Sequence, residues 1–334
     1  MDFLPDSDQE TLVEATRQFI EKRFPLTEST ARPDDTGWRE IAELGWLGLA
    51  ADEAVGGANA GLIDEVLVFR EIGRGLVPGP VLATLAAARL AAWVGDASLA
   101  SSLIAGRSRV ARAVPLPGRE SHLLLLDTEA APLTLFVDER RADLFPTPAG
   151  LELHPGLENG TQVSQVPRST LENPELGTDD PALVARLRRL LSILTAAQLA
   201  GICGATTDLA VAHAKTRVQF GKPIGAFQAI KHKCADMATN ALAADNVTYF
   251  AALTESNATA GSDYHVLAAA AFTRRAAFAN ARANVQIHGA MGFTVEDSAH
   301  RFVKRTHTLC ITEEFDRAAE RLGRLPSVDT SEES

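Results

Sequence analysis

The stretch His213-Ala-Lys-Thr-Arg217-Val-Gln-Phe220-Gly-Lys-Pro223-Ile-Gly225-Ala-Phe227-Gln228 decides how this chain folds. One long Ala-rich run ends in it and another begins. Upstream, Pro181 to about Thr216 reads as a single helix. Asp179 or Asp180 caps it, and Pro181 occupies the first turn, where no amide donor is needed. Lys222-Pro-Ile-Gly225 breaks that helix. Downstream, Phe227, Ile230, Cys234, Met237 and Ala241 recur at intervals of three and four. This spacing predicts a helix from Phe227 to about Ser256, and a similar Ala-rich run predicts another from Ser262 to about His288. Ala-rich faces let helices approach closely, as in a four-helix bundle.

Towards the N-terminus the texture changes twice. Residues 1–106 read as helical. Helices are predicted from Asp6 or Ser7 to about Arg23, over Trp38 to Leu44, over Ala60 to Gly73, and over Pro80 to Gly95. Between them and the bundle lie short β-leaning runs, Val110-Ala-Arg-Ala-Val114, His122 to Leu126, Leu133 to Val137 and Thr161 to Val166, separated by Pro and Gly. A small antiparallel sheet is expected there, with Asn173 to Pro181 as a linker. Beyond the bundle, Thr294 with Asp297 is expected to cap one helix, and Thr312 another from Glu313 to Leu322. Lys304 and Arg305 read as a solvated helix face. The expected fold is mostly α with a small central β domain: residues 1–106 helical, 107–178 a reduced β domain, 179–326 a helical bundle, and 327–334 a disordered acidic tail.

Composition limits the functions. Of 334 residues, 46% are hydrophobic and 22% charged, enough for a large core and against a disordered chain. Lys+Arg total 32 against 43 Asp+Glu, a formal net charge of −11. That balance argues against nonspecific binding to nucleic acid or to an anionic membrane. Cys203, Cys234 and Cys310 lie far apart, without metal or disulfide spacing, which fits a reducing cytoplasm. His213, His232, His288 and His307 show neither a nucleophile partner nor metal spacing. No metal site is expected.

The element order, together with four motifs, resembles the acyl-CoA dehydrogenase family. Arg217-Val-Gln-Phe220-Gly-Lys-Pro-Ile-Gly-Ala-Phe-Gln228 is similar to its R-x-Q-F-G-x-P-I-x-x-F-Q segment. Gln286-Ile-His-Gly289-Ala290-Met-Gly-Phe-Thr294 is similar to its Q-x-x-G-G-x-G-x-T loop. Trp38 to Gly48 with Gly56-Gly57, and Glu71-Ile-Gly-Arg-Gly75, also match. The resemblance runs in order over nearly the whole chain. It implies three domains, FAD as cofactor, and α,β-desaturation of an acyl-CoA thioester, with the electrons passed to an external electron-transfer acceptor. It further implies that Arg217 and Gln228 bind the FAD diphosphate of a neighbouring subunit while Phe220 packs on the cofactor. Gln286, Gly289 and Ala290 would form a second cofactor loop. Arginine suits a diphosphate because its planar fork donates two parallel hydrogen bonds. Gly-rich backbone allows close approach.

Other family features are absent. The family's catalytic base is a glutamate in one of two places. The first long bundle helix offers Arg186-Leu-Arg-Arg-Leu-Leu-Ser-Ile-Leu-Thr195, with no carboxylate. At the C-terminal place stands Glu313, within Cys310-Ile-Thr-Glu-Glu-Phe-Asp316 rather than the usual Y-E-G-T. The flavin-ring segment of the middle domain, T-E-P-x-A-G-S-D with a nearby W-x-[ST], has no counterpart, and that domain is short for the family. This asymmetry resembles the shorter partner of the α2β2 heteromeric members found in actinobacterial steroid side-chain degradation. The expected function is therefore a subunit that completes the FAD site of a longer homologue. One alternative is a self-sufficient homomeric enzyme with Glu313 as base. Another is a flavin-free binding relative.

Overall fold

The computed structural model describes residues 5–26, 33–158, 160–259 and 261–325. The expected acidic tail, 327–334, lies outside the described residues. Five helices open the chain: α1 (Ser7–Arg23), α2 (Asp35–Glu43), α3 (Leu62–Arg74), α4 (Val81–Trp93) and α5 (Ala97–Ile104). The Asp6 carboxylate accepts from the Asp8 and Gln9 amides, and Gln9 accepts from the Asp6 amide, which closes a capping box at α1. The sequence reading missed α5. Its eight residues are too few for a clear period, although Asp96 caps it by accepting from the Leu99 amide.

Seven strands follow: β1 (Val110–Leu116), β2 (Arg119–Leu126), β3 (Leu133–Val137), β4 (Ala142–Pro146), β5 (His154–Pro155), β6 (Gln162–Pro167) and β7 (Leu176–Thr178). Their order is β5-β6-β2-β1-β3-β4-β7. The sheet is mixed, not antiparallel as expected, because β1 and β3 run parallel with Val110 opposite Leu133. The hairpin partner β2 occupies one edge of β1 and pairs outward with β6, so β3 takes the free edge. Nor is the stretch before the bundle a plain linker. Its β7 pairs with β4, Leu176 opposite Leu144.

The bundle comprises α6 (Pro181–Thr216), α7 (Gln228–Ser256), α8 (Ser262–His288), α9 (Ala299–Thr312) and α10 (Ala318–Arg324). Asp180 caps α6, accepting from the Ala182 amide at 2.8 Å. Helix α6 contains an 18-residue window apolar enough to cross a bilayer, and 83% of that window is buried inside the fold. It packs on α3, α7 and α8. Two glycines set the α3–α6 approach. A Cβ at Gly73 would fall 2.1 Å from the Gln198 carbonyl oxygen, and one at Gly201 would fall 2.0 Å from that of Arg70.

The chain end differs from expectation. Thr294 caps no helix; α9 starts at Ala299, whose amide donates to Asp297. Thr312 closes α9 instead of opening the next helix. Its hydroxyl donates back to the Leu309 carbonyl. Glu314 then adopts φ +51°, which stops any helical continuation from Glu313.

Candidate functional site

Two places collect functional side chains. The first lies at the C-terminal ends of α6 and α8. After α6 the chain forms a two-stranded hairpin, β8 (Val218–Gln219) with β9 (Lys222–Pro223). Phe220 and Gly221 make its tip, with φ of +52° and +77°. Both residues sit in the left-handed region, as a tight two-residue hairpin demands. Glycine does this freely, whereas a phenylalanine there costs about 1–2 kcal/mol. Phe220 is nevertheless 92% exposed and gains no core burial in return. Its ring stands edge-on to Phe227 at 6.0 Å, and the Lys222 ammonium lies over the Phe227 ring.

Around this tip the expected cofactor residues gather. Arg217 is the C-cap of α6, and its side chain pairs with no described residue. Gln228 opens α7 and is exposed. The rings of His213 and His288 stack at 4.2 Å and hold the ends of α6 and α8 together. This contact brings the hairpin alongside the second expected loop, with Gln286 exposed in the last turn of α8. Gly289 has φ +67°, and a side chain there would meet nothing within 4 Å. Ala290 is not among the residues of positive φ, so its methyl does not strain the backbone. Met291, Phe293 and Val295 on the same loop are exposed. Beneath, Ala210, Ala214, Met237 and Ile287 form a small separate core that anchors the hairpin side.

The second place is a partly open cavity of about 270 Å³ between the sheet and the helices. Apolar residues of α4, β2, α6 and α9 make most of its wall. Two ion pairs stand in its lining. Arg112 on β1 donates to Glu313 Oε1 at 3.3 Å, and the Glu313 side chain is only 8% exposed. Burial holds the Glu313 carboxyl above the ordinary carboxylate range, while the Arg112 guanidinium pulls it down. Arg305 on α9 donates to Glu158 at 2.5 Å and to the carbonyls of Val77 and Leu76. Arg305 is thus a buried, fully engaged residue and not part of a solvated face. Its neighbours on the α3–α4 connection offer bare carbonyls that only a donor satisfies.

The exposed cradle suits the diphosphate half of FAD. It supplies an unpaired guanidinium, a free amide side chain and open glycine backbone beside an unburied aromatic ring. It also lies far from that cavity. Arg217 stands nineteen residues beyond the cavity-lining Gln198 on the axis of α6, about 28 Å away at the helical rise.

The sequence matches the acyl-CoA dehydrogenase N-terminal domain over residues 6–97 and the acyl-CoA dehydrogenase C-terminal domain over 191–313. The chain belongs to the acyl-CoA dehydrogenase family. Its members are FAD-dependent enzymes. It is 31% identical to acyl-CoA dehydrogenase IpdE2 of Mycobacterium tuberculosis, over 91% of this chain and 92% of that one. It is 35% identical to acyl-CoA dehydrogenase FadE34 of the same organism, over 81% of this chain but only 39% of FadE34. The fold superposes on a chain of the ChsE4–ChsE5 complex from M. tuberculosis with a TM-score of 0.80 and 20% identity, covering 98% of this chain and 100% of that one.

The sequence reading missed Arg112, Glu158, Gln198 and Arg305 in the cavity. A signal existed for Arg112, a lone charge within the apolar strand Val110-Ala-Arg-Ala-Val114. None existed for Glu158, which sits in a loop without periodicity.

Proposed function

We propose that this chain is the cofactor-completing subunit of a heteromeric acyl-CoA dehydrogenase, working with a longer homologue that supplies the flavin-ring site and the base. The assembly is an α2β2 tetramer. The observation that carries this reading is the 28 Å separation just described. The cradle faces outward, where the cofactor of another chain can reach it. Arg217 and Gln228 would hold the diphosphate, and Phe220 would cover an adjoining apolar part of FAD. When bound, FAD accepts the hydride removed from the β-carbon of the thioester. This chain's residues only bind and orient.

The interior supports the same division of labour. Desaturation needs a free carboxylate to take the α-proton, and Glu313 is committed to Arg112. The name of the ChsE4–ChsE5 complex, one chain of which shares this fold, also fits. The substrate is an acyl-CoA thioester, and by the resemblance above a bulky steroid side-chain ester. The three free cysteines fit a reducing cytoplasm.

A second reading has one observation in its favour. Glu313 is buried with a raised pKa in a cavity, a pattern common to catalytic carboxylates. Reconstitution separates the two readings. The chain alone should be colourless, and should form a yellow, active tetramer with a co-encoded longer homologue. In that tetramer, Glu313→Gln should lower turnover less than about tenfold. A chain that is yellow and active alone, and loses about a thousandfold in turnover on Glu313→Gln with FAD retained, would establish the self-sufficient enzyme instead.

A further inference from the structure

Two histidines outside the proposed cofactor contacts stand between the two loops of the cradle. The His213 and His288 rings face one another at 4.2 Å, tilted by 32°, where α6 and α8 end. Each is tied to one loop. The His213 carbonyl accepts from the Arg217 amide at 2.9 Å, at the start of the hairpin segment. Gly225, at the end of that segment, packs so closely on α6 that a Cβ there would lie 3.0 Å from the Ala214 carbonyl oxygen. On the other side, a Cβ at Gly292 would lie 3.0 Å from the His288 Cβ. A shift of either ring therefore moves the hairpin relative to the Gly289 loop. The His288 Nδ1 is 2.9 Å from the Asn284 carbonyl, which only a protonated nitrogen satisfies, so a further proton on that ring goes to Nε2.

Neutral rings pack face to face, and one added proton meets no like charge within the pair. A second proton sets two cations ring to ring, where like charges disfavour ionisation. Burial and His288 both hold the His213 ring below its ordinary 6.5. Arg217 pushes the same way, and Asp297, from the segment before α9, opposes. From α7, the small core beside the pair receives Ile230, Cys234 and Met237. Of these only the Cys234 thiol titrates, and burial pushes it up. We propose that His213 and His288 are positioning residues for FAD, a stacked pair that keeps the hairpin and the Gly289 loop in register as long as it carries no more than one proton. The second proton parts the rings and draws Arg217 and Gln228 away from the second loop. This role rests on the reading of the cradle as an FAD site.

The test uses the full chain in an NMR titration from pH 8 to pH 5, following the histidine ring signals and the backbone amides. His213 and His288 should titrate in two separate steps, the lower one below about pH 6. The amide signals of Gly221 and Gly289 should shift together at that lower step. His288→Phe keeps a flat ring without a charge. It should raise the His213 midpoint by about half a pH unit or more and leave both glycine signals still. In the reconstituted tetramer, FAD affinity read by flavin fluorescence should fall about fivefold or more between pH 7.5 and pH 5.5, and His213→Phe should flatten that fall. Glycine signals that stay still through the lower step in the unmutated chain would overturn the proposal. So would histidines that titrate independently, or an FAD affinity that does not change with pH. The glycine signals and the affinity series of the unmutated protein need no variant, so a misfolded one does not obscure them. The glycine signals also need no FAD. Failure of the subunit reading, seen as a chain that is yellow and active alone, is therefore distinguishable from failure of this one.

Discussion

Arg112 on the first strand and Glu313 at the end of α9 meet at 3.3 Å in the interior, although 201 residues separate them in sequence. Their contact ties the central sheet to the last bundle helices at the point where a catalytic carboxylate would have to be free. Removing one partner of a buried pair leaves the other uncompensated, at a cost of about 3–5 kcal/mol. Arg112→Met should therefore destabilise the chain by about 3 kcal/mol at pH 8. At pH 5 the loss should be smaller, because a buried unpaired carboxyl takes up a proton. Urea denaturation at both pH values checks this. An equal loss at the two would mean that Glu313 does not respond to Arg112.

Arg217→Ala should weaken FAD binding by the reconstituted tetramer about tenfold or more, since hydrogen bonds to charged groups are worth roughly 1.5–3 kcal/mol each. The exposed Arg217 side chain makes no hydrogen bond or ion pair with a described residue, so the melting temperature of the isolated chain should barely move. Flavin fluorescence titration and thermal unfolding read the two effects separately. Unchanged flavin affinity would remove Arg217 from the cofactor site.

Gly73→Ala probes the junction between the N-terminal helices and the bundle. The new methyl would stand 2.1 Å from the Gln198 carbonyl oxygen, so α3 and α6 must separate. Overpacking of this kind costs about 1–3 kcal/mol, and backbone opposite backbone has little room to yield. Chemical denaturation should place the variant at or above the upper end of that range. A neutral substitution would show that the two helices are not rigidly docked.

A buried charge network joins the same elements. Glu71, 1% exposed, accepts from Arg17 at 3.0 Å and Arg70 at 3.1 Å, and Arg70 also approaches Asp245 on α7 at 3.5 Å. Burial pushes the Asp245 carboxyl up to about 6 from its ordinary 3.8, against the pull of Arg70 and Arg74. A folded-state value above the unfolded one means that the folded chain binds more protons between those two pH values. Stability therefore falls as pH rises through that window, by about 3 kcal/mol for a shift of this size. Asp245→Asn should flatten the decline between pH 4 and 6.5 and leave the region below pH 4 little changed. A decline as steep as that of the unmutated chain would assign it to other carboxyls.

The sequence was most legible where local chemistry acts over one or two turns. Asp180 and Pro181 start α6, and Ser262 to His288 forms one helix to the residue. The break between α6 and α7 was legible because Lys222-Pro-Ile-Gly225 does not continue a helix; that Val218 to Pro223 close into a hairpin was not. Less could be read from the middle domain. Strand β4, Ala142-Asp-Leu-Phe-Pro146, lacks alternation because four of its five residues are buried on both faces. Even Asp143 is hidden, held by Arg141.

What the sequence determined by itself was the succession of helical, β and helical regions, and the helix boundaries at Asp180 with Pro181 and from Ser262 to His288. Those features depend on residues that are neighbours along the chain. Only the tertiary structure decided that the cradle lies about 28 Å from the chain's own cavity, that β1 and β3 run parallel, and that Glu313 is engaged by Arg112. Each of these depends on residues brought together from distant parts of the chain, through a shared core that no local window contains.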